Sequence, residues 1–121
     1  MGYLYDDTID WHLIGMVDSW LDDKVSAEYH NHPLAQDWAR VGKVIEELGE
    51  AIGELILFTG QNPRKEYDPE AGKRLLEELA DTAITGILAI QHYTKDTETT
   101  RKIIREKVEA IYRRMANGIP E

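Results

Sequence analysis

A long stripe of apolar residues between Pro33 and Phe58 places the strongest limit on what this chain can fold into. Its members recur every three or four residues, the period of an α-helix. They are Val41, Val44, Ile45, Leu48, Ile52, Leu55 and Ile56. Pro33 suits the first position of a helix, and Gly60 follows its end. The segment therefore predicts an amphipathic second helix whose apolar face needs cover from other elements.

Three other segments also predict helices, and none predicts a convincing strand. The predicted helices run from Thr8 to Leu21 with Asp6 or Asp7 as cap, from Asp68-Pro69-Glu70 to Tyr93, and from the cap Asp96 to Asn117-Gly118, with residues 59–67 as a loop. The chain has no internal repeat and no domain boundary. Residues 1–121 therefore predict one all-α domain, an antiparallel four-helix bundle.

Composition excludes several classes of function. The formal net charge of -9 argues against a nucleic-acid polymer as partner, because such binding depends on clustered Lys and Arg. The absence of cysteine excludes disulfides and thiolate metal sites. The N-terminus lacks a signal-peptide pattern, and no apolar run is long enough to span a membrane. These features predict a cytoplasmic protein that does not interact with membranes.

The third helix is apolar on nearly every side, which indicates burial within a bundle or at a subunit interface. Its apolar members are Leu75, Leu76, Leu79, Ala80, Ala83, Ile84, Ile87, Leu88 and Ile90. Three other helices of this length cannot readily cover such a helix, and large exposed apolar patches usually mark interfaces. We therefore expect a homodimer, or a dimer of dimers. Asp81 lies in the middle of this helix, where a buried carboxylate needs a cation or a proton.

Two carboxylate clusters carry the functional signal. Glu46-Glu47-x-x-Glu50 lies in the second helix and Glu78-x-x-Asp81 in the third. Carboxylates three residues apart share one helix face, so two antiparallel helices could bring the pairs together. The resulting negative charge would need a divalent cation, and all-oxygen ligands favour Mg²⁺, with Mn²⁺ as a possible substitute. Since Mg²⁺ commonly bridges carboxylates to phosphate oxygens, a phosphate-bearing substrate follows.

Alternative explanations of these carboxylates also have support. On a helical wheel Gln36, Arg40, Lys43, Glu47, Glu50 and Glu54 share one face, roughly opposite the apolar stripe. Taken alone, that face is typical of an ordinary solvated surface. Arg40 and Lys43 could form salt bridges there, but they cannot neutralise all the carboxylates. A di-iron site requires Glu-x-x-His pairs, and no histidine of this chain lies three residues after a glutamate.

The sequence from Pro33 to Met115 resembles the MazG-like superfamily of all-α nucleoside triphosphate pyrophosphatases. The resemblance rests on KVIEELGE, from Lys43 to Glu50, and EELAD, from Glu77 to Asp81, which match the family pattern EExxE followed by ExxD. It implies Mg²⁺-dependent hydrolysis of a nucleoside triphosphate between the α and β phosphates, giving a nucleoside monophosphate and pyrophosphate. It also implies that Glu47, Glu50, Glu78 and Asp81 bind metal.

Further roles follow from this resemblance and from charge. Glu46 is the candidate to orient or deprotonate the attacking water, and Lys43 is the candidate phosphate contact. Lys107 and Arg113, in the basic C-terminal helix, match family positions loosely and could hold the leaving pyrophosphate, or they could be solvated surface charges.

The residues are compatible with more than one base and more than one activity. Trp38 could stack on a base, but its place near the apolar stripe favours packing in the core. A phosphoribosyl-ATP pyrophosphohydrolase would use the same chemistry. A helical interaction module without catalytic activity is the other alternative, with the acidic face serving only as a solubilising surface.

Overall fold

The computed structural model describes residues 9–24 and 32–118, and within these ranges the chain is all-helical and contains no strand. The helices are α1 (Trp11–Lys24), α2 (Pro33–Thr59), α3 (Ala71–Thr94) and α4 (Thr97–Asn117). The all-α prediction is confirmed. Pro33 begins α2 as predicted, and Gly60 ends it in the left-handed conformation that a glycine adopts without strain.

Local hydrogen bonds explain the other helix ends. The Asp10 carboxylate accepts bonds from the backbone N–H groups of His12 and Leu13, so it caps α1. α1 extends to Lys24, beyond the predicted end, and the proposed caps Asp6 and Asp7 lie outside the described residues. Asp96 caps α4 as predicted, by accepting a bond from the Thr99 N–H.

The start of α3 differs from the prediction. The Asp68 carboxylate accepts a bond from the Glu70 N–H, which stabilises a turn rather than the first turn of the helix. The helix itself begins at Ala71. The helix therefore begins two residues later than the Asp-Pro signal predicts.

α2 and α3 form an antiparallel hairpin. Glu54 pairs with Arg74 near the connecting loop, and Asp37 pairs with His92 at the far end. Near the loop the Phe58 ring lies against Gly72, where an added Cβ would come within 2.8 Å of a ring carbon. This close approach explains why a glycine suits the first turn of α3.

The face of α2 that contacts α3 is the polar face. Arg40 and Glu47 are only 6% and 9% exposed, so the expectation of an ordinary solvated face is wrong at these positions. The opposite, apolar face is bare, and seven of its residues follow alternating intervals of four and three, as in a coiled coil. These residues, here called the α2 stripe, are Leu34, Trp38, Val41, Ile45, Leu48, Ile52 and Leu55, all exposed.

The other helices leave apolar surface uncovered as well. α3 was expected to be buried within a bundle or at a subunit interface, and within the described chain Leu76 is 68% exposed and Leu79 44%. In α4, Thr100 is the one buried residue, held by hydrogen bonds to Gln91 and Thr94. The buried apolar residues of the described chain are Ile14, Ala51, Ala71 and Leu88. The described residues of one copy therefore do not enclose a full hydrophobic core.

In the described part of the chain no helix combines the length and apolarity needed to cross a membrane.

Candidate functional site

Three of the predicted metal ligands meet between α2 and α3. Glu47 and Glu50 project from α2 and Glu78 from α3, and one carboxylate oxygen of each lies within 4.8 Å of the others. The antiparallel hairpin causes this meeting, because it places the middle of α2 beside the middle of α3. We call Glu47, Glu50 and Glu78 the acidic cluster.

The other two acidic residues predicted for the site lie at its margin. Asp81 is exposed and does not belong to the close group, although its charge acts on Glu78. The Glu46 side chain is 60% exposed and pairs with Lys43. A water molecule can therefore reach Glu46 from solvent.

Ionisation of Glu78 is disfavoured by its place in the acidic cluster. One of its carboxylate oxygens, Oε2, is buried and has no hydrogen-bond partner. Desolvation raises the pKa of Glu78, and so do its hydrogen bond with Glu50 and the negative charges of Glu50, Asp81 and Glu47. A buried carboxylate oxygen without a partner is costly, so this position favours a bound cation or a proton.

Lys43 supplies part of the compensating charge. Its ammonium Nζ lies 3.2 Å from Glu46 Oε1 and 3.1 Å from Glu47 Oε1. The hydrogen bond to Glu47, followed by that to Glu46, raises the pKa of Lys43. Glu50 and Glu78 have no salt bridge within the described residues, so one ammonium faces more negative charge than it can neutralise.

The other candidate cations and acids of the polar face are engaged elsewhere. Arg40, considered from sequence as a partner for the carboxylates, instead hydrogen-bonds Asp18 and Asp22 of α1. Glu54 pairs with Arg74, which also pairs with Asp68. These pairs remove Arg40 and Glu54 from the acidic cluster.

Sequence reasoning missed a second ionic group, which joins α1 to the hairpin. The guanidinium Nη2 of Arg40 lies 2.7 Å from Asp18 Oδ1 and 2.9 Å from Asp22 Oδ1. Lys95 Nζ lies 3.0 Å from Asp18 Oδ2 and 2.7 Å from Asp22 Oδ2. Desolvation raises the pKa of Asp22, but the bonds from Lys95 and Arg40 outweigh it and lower the pKa. The i,i+4 spacing of the two aspartates was the available signal.

His92 lies beside this ionic group and hydrogen-bonds Asp37 at 2.8 Å. Asp18, Asp22 and His92 are close enough together to resemble a ligand set. Arg40 and Lys95 already occupy the two aspartates with positive charge, which disfavours a metal ion there. The group is therefore best described as the attachment of α1.

Replacing Arg40 should loosen α1 strongly. In Arg40→Met the carboxylate of Asp18, which is 3% exposed, loses its buried partner. Since removal of one member of a buried pair is strongly destabilising, we expect a loss of about 3 kcal/mol in urea unfolding. Lys43→Met removes a lysine that is 44% exposed, and it should cost less than about 1 kcal/mol. Equal effects of the two substitutions would contradict the assignment.

The pH dependence has a defined sign. Because the pKa of Asp22 is lower in the folded protein than its usual 3.8, its contribution to stability is present above that value. The contribution is lost as the pH falls through the lower, folded-state pKa. Arg40 is one of the two cations that lower the pKa of Asp22. The Arg40→Met variant should therefore lose less folding stability than the wild type as the pH falls through this range.

The remaining predicted site residues are exposed. Lys107 and Arg113 lie on α4, with no hydrogen bond or ion pair to any described residue, and α4 does not pack along α2. Trp38 is 74% exposed, so the expected packing in the core does not occur against the residues that the structure describes. The structure of one copy thus brings neither the basic residues nor Trp38 into contact with the acidic cluster.

Comparison of the chain with protein families, with curated proteins and with solved structures gives no match.

Proposed function

We propose that this chain is a Mg²⁺-dependent nucleoside triphosphate pyrophosphohydrolase. The observation that carries the proposal is the buried, unpartnered Glu78 Oε2 within a group of three carboxylates from two helices. A purely solubilising surface would leave its carboxylates in water, where they would not need a partner. The type of reaction is inferred from the sequence resemblance at the two carboxylate motifs.

The donor set fits a hard divalent cation. Glu47, Glu50 and Glu78 offer only oxygen ligands, which suits Mg²⁺ or Mn²⁺ better than zinc or iron. These three residues would hold the ion, and Asp81, whose charge already reaches Glu78, would complete the set. Bound there, Mg²⁺ would neutralise phosphate charge and promote attack on phosphorus.

Residues of the chain would contact the phosphate, accept the proton of the attacking water and stack on the base. Lys43 lies beside the cluster, where its ammonium can contact a phosphate oxygen once the substrate competes with Glu46 and Glu47 for it. The exposed carboxylate of Glu46 can accept a proton from the attacking water. Trp38 offers an exposed aromatic face for a base, although it lies several turns from the cluster.

Initial-rate assays of pyrophosphate release test the proposal. A panel of ribo- and deoxyribonucleoside triphosphates, together with phosphoribosyl-ATP, should give at least one substrate that requires Mg²⁺. Preference for phosphoribosyl-ATP would support the biosynthetic alternative. If no nucleotide is hydrolysed and calorimetry detects no coupled binding of Mg²⁺ and a non-hydrolysable nucleotide, the chain is a non-catalytic module.

Cleavage should occur between the α and β phosphates. Hydrolysis in oxygen-18 water should place the label in the nucleoside monophosphate, because we expect water to attack the α phosphorus while pyrophosphate leaves as a unit. Mass spectrometry of both products measures this. Label in pyrophosphate would indicate attack on the β phosphorus, and release of orthophosphate would indicate a different reaction.

We also propose that the active form is a homodimer, or a dimer of dimers, in the cytoplasm. The α2 stripe and the exposed apolar residues of α3 and α4 together form more uncovered apolar surface than a soluble monomer usually shows. Pairing of two α2–α3 hairpins would complete an antiparallel helical bundle. The absence of cysteine fits a reducing compartment.

A further inference from the structure

α4 presents an apolar face that no other described part of the chain covers. Ile104, Val108, Ile111 and Met115 follow intervals of four, three and four residues, so they lie on one side of the helix. Val108, Ile111 and Met115 are 62%, 57% and 70% exposed. Among the described residues of α4, none beyond Thr100 is buried. After its first turn, the helix is therefore available to another surface.

α2 offers a matching surface beside the acidic cluster. A Cβ added at Gly42, Gly49 or Gly53 would meet nothing within 4 Å. At 100° per residue these glycines lie between the α2 stripe and the side of α2 that carries Glu46 and Glu50. A glycine within a helix is less favourable than an alanine, and nothing in the described chain fills the space beside these three. We call this surface the glycine groove.

The charges of the two helices are complementary. α4 carries six basic and three acidic side chains, whereas α2 carries five acidic and two basic ones. A second copy of the chain therefore brings a basic amphipathic helix that matches an acidic helix with an open apolar face. Its own α4 does not pack along α2, so the match is available only between copies.

We propose that α4 of a second copy docks in the glycine groove and places Lys107 beside the acidic cluster of the first. On the helical wheel Lys107 flanks the apolar face of α4, one turn before Ile111, so docking of that face directs its side chain to the edge of the contact. The edge nearest the groove carries Glu46 and Glu50. Arg113 lies opposite the apolar face, so the proposal assigns it no part in the site.

The proposal rests on the proposed function, to which it adds that each site is completed by the partner. Lys107 would supply the second ammonium that the cluster and a polyphosphate require, since Lys43 is the cation that one copy provides. Because the two copies are related by symmetry, each would donate its Lys107 to the other. Lys107 would then contact the outer phosphates that leave as pyrophosphate.

Subunit mixing tests the exchange. Lys107→Gln should lower turnover about 10- to 100-fold through loss of a charge-assisted phosphate contact, and Glu78→Gln should be inactive. After the two variants are unfolded together and refolded as a mixture, half of the dimers contain one chain of each kind. Such a dimer has one site with both Glu78 and Lys107 intact. Activity should therefore rise to about a quarter of wild type.

The outcomes separate the two hypotheses. If Lys107 acted on its own chain, the mixture would show no gain, and the inference would be overturned while the proposed function stood. If Lys107→Gln retains full turnover, the inference is also wrong. A wild-type protein that hydrolyses no nucleotide would overturn the proposed function instead. Lys102→Gln is the matched control, because Lys102 is 65% exposed, pairs with Glu106 and lies on the far side of α4.

Cross-linking tests the docking without an activity assay. Because the chain has no cysteine, each single-cysteine variant carries one reactive thiol. A Glu46→Cys chain mixed with a Lys107→Cys chain should form a cross-linked dimer with a short bismaleimide. A Lys102→Cys chain mixed with the same Glu46→Cys chain should not. Equal cross-linking of both pairs, or of neither, would overturn the docking whatever the result of the activity assays.

Discussion

Glu78→Gln should abolish Mg²⁺-dependent turnover and, in the same purified protein, raise the stability of the metal-free fold. The two effects have one cause. Glu78 has a buried, unpartnered oxygen and lies within the negative charge of Glu50, Asp81 and Glu47. The substitution removes one negative charge and keeps the shape of the side chain. It therefore relieves repulsion while it removes a metal ligand.

We expect turnover to fall at least about 100-fold, because a lost ligand charge weakens both metal binding and stabilisation of the transition state. The midpoint of thermal unfolding without metal should rise, because the substitution removes like-charge repulsion within the acidic cluster. Addition of Mg²⁺ should stabilise the wild-type protein by mass action and leave the variant nearly unchanged.

The stability difference should depend on pH in a defined direction. The pKa of Glu78 is raised above its usual 4.5 in the folded protein, so its ionised form costs stability at higher pH. Wild-type stability should therefore gain from protonation of Glu78 as the pH falls through the raised pKa, and this gain is complete below 4.5. The stability of Glu78→Gln should lack this pH-dependent gain. The difference in stability between the variant and the wild type should therefore be largest near neutral pH.

Glu77→Gln is the matched control, since Glu77 is the adjacent residue, is exposed and has no role in the cluster. It should keep both turnover and the metal response. Retained activity in Glu78→Gln would contradict the metal assignment. Lost activity together with lower thermal stability would indicate a structural role for Glu78 in its place.

Features set by neighbouring residues were predictable from the sequence. Pro33, Gly60 and Asp96 act within one turn of their helix ends, and the structure places those ends where the residues predict them. The three-residue spacing of the carboxylates was equally local, because it fixes a shared helix face. Antiparallel pairing of α2 and α3 was then enough to bring Glu50 and Glu78 together.

Features set by distant partners were not predictable in the same way. A helical wheel shows that α2 has a polar and an apolar face, but it does not show which face meets α3. The polar face does so, and from it Arg40 donates hydrogen bonds to the backbone carbonyls of Asp18, 22 residues away, and of Leu88, 48 residues away. Trp38 is exposed because the apolar face of α2 has no partner among the described residues.

The wild-type protein should have at least twice the 13.9 kDa mass of one chain at micromolar concentration, and Ile45→Glu should dissociate it. Ile45 is 71% exposed in one copy and lies near the centre of the α2 stripe. Burial of an unpaired carboxylate at a contact between copies costs several kcal/mol. We therefore expect the dissociation constant to rise at least about 1000-fold. Light scattering and sedimentation measure both states.

Gln61→Glu, in the exposed loop after α2, adds the same charge away from the stripe and should leave the mass unchanged. The Ile45→Glu monomer should still bind Mn²⁺, because Glu47, Glu50 and Glu78 all belong to one chain. Its turnover should nevertheless fall, because no partner supplies Lys107. A wild-type protein of monomer mass would refute the assembly, and a fully active Ile45→Glu monomer would show that each chain carries a complete site.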